Sequence, residues 1–390
     1  MDIQLHSRID ALDPMQWNAL AGEQTVLQHA FLNALEQSGS VAANRGWQPC
    51  HLAVDGLSAA MPLYLKSHSF GEYVFDWSWA RAYQQHSLDY YPKLVAAVPF
   101  TPVPGPRLLA ADAQQRLQLA HGLKAATESL DAGSAHVLFH NEAEGDALEA
   151  AGFFLRRQIQ FHWHKQGGWR DFDDFLDALK ASKRKKIRQE RRKVSDAGVD
   201  IERKRGAAIT GADWRFFHAC YTNTYHEHQS TPYLSLDFFL RLWQALPDSC
   251  LLILAYRNGK PIAAALDLID RDRLYGRYWG AQWDEAGFIP ALHFELCYYQ
   301  GIEFALETDL AVFEGGAQGE HKMARGFSPV LTQSAHWLRH PGFHQAIARA
   351  IRQENRQITY SLNNLAGHAA LASSLTSGNS APEIGQNYDI

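Results

Sequence analysis

The apolar positions of this 390-residue chain change period several times, and each change predicts an element. Helical spacing predicts amphipathic segments at Pro14–Leu20 and Val26–Gln37. Alternation and turn residues then predict three strands across Trp47–Ala80, with Asp55-Gly56 as a tight turn. In the stretch Arg81–Leu109, five prolines from Pro92 to Pro106 exclude a regular helix. A long segment of that kind inside a compact domain predicts a functional loop or a lid. Ala111–Ala132 reads as a helix, His136–His140 as a buried strand, Glu142–Ala151 as a helix and Gln158–His164 as a strand.

The same order then recurs. Asp171–Gly198 reads as one helix with Phe172, Phe175, Leu176 and Leu179 on its apolar face, and Val199–Lys204 as a strand. Asp213–His226 and Leu236–Leu246 read as helices. Cys250–Tyr256, Ile262–Asp270 and Arg273–Ala281 read as antiparallel strands, the first two joined at Asn258-Gly259, where both residues favour positive φ. A helix Ala291–Leu306, a strand Ala311–Glu314, a polar loop, a strand Pro329–Leu338 and a closing helix Gly342–Thr359 complete the order. The tail 373–390, rich in Ser, Gly and Asn, is expected to be disordered.

Recurrence extends to residues. Glu314–Gly326 repeats His140–Gly152 at an offset of 174: Ala317, Gly319, Ala324 and Gly326 answer Ala143, Gly145, Ala150 and Gly152. The register continues to His336-Trp337 against His162-Trp163. Leu254–Ala281 likewise parallels Leu52–Ala80. Duplication follows, with expected domains 1–168, carrying the proline-rich insertion 81–109, and 169–372. The polar residues Gln318, His321, Lys322 and Arg325 face Glu144, Ala147, Leu148 and Ala151. The first loop therefore reads as chemically blank and the second as equipped.

Charge sharpens the picture in one place. The chain carries a net −5, yet Lys180–Lys193 holds nine basic residues and one acid, Glu190. Such a stripe focuses a positive field. Arg184, Lys185 and Arg188 are candidate phosphate ligands, for tRNA, a nucleotide-diphosphate sugar or an anionic lipid head group; a solvated charged helix is the plain alternative. No apolar run approaches the ~20 residues of a membrane span, and the N-terminus lacks a basic start and an apolar core. Four scattered cysteines and the histidines show no metal spacing. The expectation is a cytoplasmic protein with reduced thiols, no membrane span and no metal.

The candidate site is the loop. Gly315, Gly316 and Gly319 let the backbone approach a ligand and present N–H groups to an anion. Acyl transfer to an amine needs a proton acceptor and a group that stabilises the tetrahedral oxyanion. Glu314 or His321 fits the first task, and Lys322 with the loop N–H groups the second. Gln318 and Arg325 complete the polar set. Alternation puts Tyr275, Arg277 and Trp279 on one strand face as a platform for a flat or anionic ligand. His293 and Glu295 sit at the positive end of the next helix.

The strings YGRYWG (Tyr275–Gly280), LHFELCYYQGIE (Leu292–Glu303) and EGGAQGEHKMARGF (Glu314–Phe327) resemble the FemAB-like branch of the Gcn5-related N-acetyltransferase (GNAT) superfamily. Trp77–Leu109 and Phe172–Val194 match it too, so the resemblance runs from Leu27 to about Gln357. It implies an α+β (mixed α/β) fold of tandem GNAT-like domains. It implies transfer of an acyl or aminoacyl group to an amine, on a small-molecule or peptidoglycan-precursor acceptor. Aminoacyl-tRNA and acyl-CoA are the possible donors. Two features depart from the pattern: no segment supplies the helical arm of the Fem aminoacyltransferases, and Gly280–Glu295 lacks the [QR]-x-x-G-x-[GA] pyrophosphate loop. An acetyl-CoA-dependent N-acetyltransferase and a non-catalytic ligand-binding protein remain alternatives.

Overall fold

The computed structural model describes residues 3–283, 287–316, 319–366 and 370–371. The predicted tail and Gln318 lie outside them. Among the described residues, strands form one four-stranded and one eleven-stranded sheet. The large sheet takes, in chain order, β1 (Trp47–Pro49), β2 (Leu63–Lys66), β3 (Lys93–Ala96), β4 (Ser134–His140) and β5 (Phe154–His164) from the first half. The second half adds β6 (Val199–Arg205), β7 (Cys250–Arg257), β8 (Lys260–Ile269), β9 (Arg273–Ala281), β10 (Val312–Glu314) and β11 (Ser328–Leu338). Their spatial order is β6-β7-β8-β9-β10-β5-β11-β4-β3-β2-β1.

That order contains an exchange. The last strand of each half pairs with the other half: β5 lies between β10 and β11, and β11 between β5 and β4. Along β5 and β11, His162 faces Ser328 and Phe154 faces His336. These pairs are images of each other under the 174-residue offset, and Gln158 faces Thr332, its own counterpart. A local pseudo-dyad therefore passes between Gln158 and Thr332. The sheet divides two cores. Leu252, Leu254, Leu266 and Tyr275 pack on one side with Trp17, Phe31 and Phe217 of three helices. Leu251, Ile253, Ala265 and Leu274 pack on the other with Leu296, Ile302 and Phe175.

Three predicted elements differ. The third strand of the first half is absent, because Trp77–Gln85 is a helix that buries Trp79 and Tyr83, spaced four apart, on one face. The Asp171–Gly198 helix is broken: Phe172–Asp177 ends, and Lys180 turns extended (ψ 138°) before Ala181–Asp196 begins. The break lets Leu179 bridge Leu371 and Lys180 N–H donate to Ala370 O at 2.9 Å. The Ala291–Leu306 helix starts at Leu292 and carries a π-turn over Glu295–Tyr299.

The proline-rich segment is a buried wall and not a lid. No helix forms between Pro92 and Pro106, and the backbone is tied down by side chains of both halves. Arg277 donates to Phe100 O at 2.6 Å, Gln160 to Pro102 O at 2.9 Å and Gln24 to Pro104 O at 2.8 Å. The buried carboxylate of Glu144 accepts from the Arg107 and Leu108 N–H groups. The first-half loop is therefore not blank: Glu144, the counterpart of Gln318, anchors this wall.

Candidate active site

Strand β9 runs parallel to β10 for three residues only, Arg273–Tyr275 against Val312–Glu314. Past Gly276 and Glu314 the two strands part. A bulge in the β8–β9 pairing sharpens the departure: Leu266 faces Tyr278 and Asp267 faces Gly276, which leaves Arg277 as an extra residue. This corrects the expected platform. The bulge breaks the alternation, so Tyr275 packs in one core and Trp279 against the other. Arg277 is committed to Phe100 O and Tyr278 OH.

The glycine-rich loop closes the parting. Gly316 (φ +87°) sits where a Cβ would lie 3.8 Å from Gly276 O and 3.9 Å from Lys322 Nζ. Gly315 has room only for a hydrogen beside the Phe327 ring. A short 3-10 helix, Glu320–Arg325, follows and ends at Gly326 (φ +87°). Gly319 (φ +115°) accommodates the His321 ring, whose Cε1 would stand 2.4 Å from an added Cβ.

Two buried ionisable groups flank the parting. Glu314 accepts from Arg273 Nη1 at 3.1 Å, while its Oε2 has no hydrogen-bond partner among the described residues. Burial pushes its carboxyl up to about 7, with Arg273 acting the other way. His162 Nε2 lies 3.9 Å from Oε2, but burial holds that imidazole near 3, so the contact is no ion pair. Lys322 Nζ donates to Gly316 O at 2.8 Å. Burial lowers this lysine to about 8, with Cys297 opposing the shift.

Around them stand residues that sequence reading missed. Asp267 is buried in the β8 run Ile262–Ile269; its Oδ2 has no hydrogen-bond partner among the described residues, and burial raises its carboxyl well above the usual range. A charge inside an otherwise apolar strand was the available signal. The π-turn presents Cys297, which feels both Asp267 and Lys322, and Tyr298, whose OH meets His321 Nε2 at 3.0 Å. Burial, then Arg325 and Lys322, lower the His321 pKa. Trp279 and His293 rings lie 5.0 Å apart on this same side of the sheet.

Arg325 and Glu295 are both tied into a docking network. Arg325 forks onto Glu190 at 2.8 and 3.0 Å and covers the Phe294 ring at 3.4 Å. Tyr299 OH also donates to Glu190. Thus Glu190, the buried acid of the basic helix, fastens that helix to the loop. Glu295 is buried and pairs with Arg191, which also bonds Glu303. Of the phosphate candidates, Arg184 pairs with Asp177 at 2.8 Å and Arg188 approaches Asp173 at 4.0 Å, while Lys185 is exposed.

The opposite side of the loop opens into a cleft of about 450 Å³ between the halves. Gly319, Tyr73, Phe139, Gln158, Gln160 and Thr332 contribute to its walls. Tyr73 (φ 60°) and Phe139 (φ 56°) hold a backbone conformation unfavourable for aromatic residues. Strain of that kind concentrates at functional sites. Through Tyr73 and Phe75 the cleft adjoins a second cavity of about 330 Å³.

A model of the FemAB-like family, described as peptidoglycan biosynthesis/recognition, matches residues 8–372. The chain belongs to this family. No curated protein sequence matches it. The C-terminal domain of a putative lysylphosphatidylglycerol synthetase from Agrobacterium fabrum superposes with a TM-score of 0.52 at 10% identity, covering 88% of this chain and 96% of that one. FemX superposes at 0.51 and 12% identity, over 89% and 100%. A conserved protein of unknown function from Bacteroides thetaiotaomicron gives 0.52 and 11%, over 87% and 100%. At these identities the likeness is one of fold, the tandem GNAT-like architecture. FemAB-like membership supports a transferase of the acyl or aminoacyl class. No described helix is long and apolar enough to cross a membrane.

Proposed function

We propose that this FemAB-like chain transfers an acyl or aminoacyl group to an amine on a peptidoglycan-related acceptor, at the parting of β9 and β10. The observation that carries the reading is the placement of Glu314 and Lys322 there, both buried and both with proton affinities moved toward neutrality. The acceptor occupies the cleft beside Gly319. The donor approaches from the side of Trp279, His293 and Tyr298. Glu314 takes a proton from the attacking ammonium, and Lys322 with the loop N–H groups faces the oxyanion. The amine nitrogen bonds to the carbonyl carbon, the bond to the donor's oxygen or sulfur breaks, and the leaving group takes up a proton. His321, held by Tyr298, gates the loop between the two sides. The division into units 1–168 and 169–372 belongs to the same reading.

Aminoacyl-tRNA is the donor we favour over acetyl-CoA, because Gly280–Glu295 lacks the pyrophosphate loop. Within that stretch Glu295 pairs with Arg191; Asp284 and Glu285 lie outside the described residues. Thermal unfolding with each ligand tests the reading. A ligand at a hundred times its Kd stabilises by about 2.7 kcal/mol. An amine-bearing muramyl peptide and aminoacyl-tRNA should each raise the Tm. A rise with acetyl-CoA but not aminoacyl-tRNA exchanges the donor, and no rise with any of the three removes the proposal.

A further inference from the structure

Three polar residues share one face of the sheet beside the parting of β9 and β10. Alternation along β5 puts Gln160 and His162 on the same face, while Phe161 and Trp163 pack in the core on the other. The β5–β10 register sets Glu314 directly opposite His162. Each of the three is 4% exposed. Gln160 also belongs to the wall of the cleft of about 450 Å³. It therefore stands between that cleft and the buried carboxyl.

The hydrogen bonds fix which atoms face which. Gln160 Nε2 donates to Pro102 O at 2.9 Å. A carbonyl only accepts, so the amide oxygen is the atom turned toward His162. His162 Nε2 lies 3.2 Å from that oxygen. The oxygen is an acceptor as well, so Nε2 carries the ring's hydrogen and Nδ1 does not. Burial keeps the ring neutral, and this is the one N–H it has to give. A second acceptor lies close by: Glu314 Oε2, 3.9 Å from the same nitrogen and without a hydrogen-bond partner among the described residues.

The other groups facing the pair are committed elsewhere. Arg273 bonds the other carboxylate oxygen of Glu314, Arg277 holds Phe100 O and Lys322 donates to Gly316 O. Asp270 accepts from Thr25 N and Tyr275 OH. The His164 ring lies 6.3 Å from that of His162. Arg157 and Glu354 also line the cleft, where Arg157 bonds Thr359 and Glu354 pairs with Arg156. Among the described residues, His162 is the donor at hand for Oε2.

We propose that Gln160 and His162 are positioning residues that couple the cleft to Glu314: an N–H donor bound in the cleft takes the Gln160 amide oxygen, and the released His162 N–H turns to Glu314 Oε2. A hydrogen bond to the charged form favours it, so the carboxyl gives up its proton to water in the cleft. The base is thus readied by the arrival of the amine it serves. The relay deepens the transfer reading and rests on it for its purpose, since Glu314 acts as a base only there.

The titration of Glu314, read by carbon-13 NMR of glutamate-labelled protein and assigned with Glu314→Gln, tests the relay without a transfer assay. Without ligand the wild type should titrate near about 7. Gln160→Met removes the competing acceptor with little change of volume, and should move the titration down by roughly one pH unit, since two or three donors bring a carboxylate from about 4 to below about 2. In His162→Phe the titration should not fall, and adding Gln160→Met to it should lower it no further. An amine-bearing muramyl peptide should lower the wild-type titration by a similar amount and leave that of His162→Phe unmoved. A titration unmoved by Gln160→Met, or a drop of the same size in the His162→Phe background, overturns the proposal. So does a peptide that raises the wild-type Tm yet leaves the titration in place, a measurement that decides even if a variant does not fold. A peptide that raises no Tm strikes the transfer reading instead, and the unliganded variants still decide the relay.

Discussion

Glu314 and Lys322 owe their proton affinities to the same cause with opposite signs. Burial favours the neutral form of each, which raises the carboxyl to about 7 and lowers the amine to about 8. A base must be deprotonated and an oxyanion partner protonated, so the transfer rate should rise with pH through about 7 and fall above about 8. In Glu314→Gln the rise near 7 should vanish; an unchanged acid limb would remove Glu314 from the role of base. For stability the sign reverses. A carboxyl raised on folding favours the native state most below its unfolded value, and that contribution is lost as pH climbs toward 7. The polar loop was legible because glycines and charges cluster in it. Asp267 was legible only as a charge inside an apolar strand; that it meets the end of a pairing depends on tertiary structure. Arg277 failed on its own terms, since a one-residue bulge reverses the faces that alternation assigns.

At the scale of elements, the basic helix Ala181–Asp196 is held by its least typical residue. Ile187, Glu190 and Val194 form its buried stripe, and Glu190 meets Arg325 and Tyr299. Removing one member of a buried pair leaves an uncompensated charge, at about 3–5 kcal/mol. Glu190→Ala should lower unfolding free energy in urea by about that amount, whereas Lys185→Ala on the exposed face should change it by less than about 0.5 kcal/mol. Equal effects would contradict the docking role. The charge run was plain in the sequence; which residue faced inward was decided by tertiary packing. The same holds for the proline-rich segment. Its lack of helix followed from proline, yet its conversion from lid to wall depended on Arg277, Gln160 and Glu144, all distant in sequence.

The whole molecule carries its history in one strand pair. The 174-residue offset read from short matches reappears as the register of β5 against β11, with Gln158 facing Thr332 on the dyad. Element order and duplication were legible because each copy repeats its own punctuation. The strand exchange was not, since nothing local tells a strand which half it will join. That exchange stretches the sheet across both halves and places the cleft where the equipped loop of one meets the aromatic wall of the other. In the proposed function, Lys322 and Glu314 serve acyl transfer at this meeting point. Mass spectrometry of an amine-bearing muramyl peptide, incubated with aminoacyl-tRNA and the protein, tests it most directly. A gain of one aminoacyl mass on the acceptor amine is expected, reduced at least about a hundredfold by Lys322→Met. No gain with either aminoacyl-tRNA or acyl-CoA, or the same gain with Lys322→Met, would contradict it.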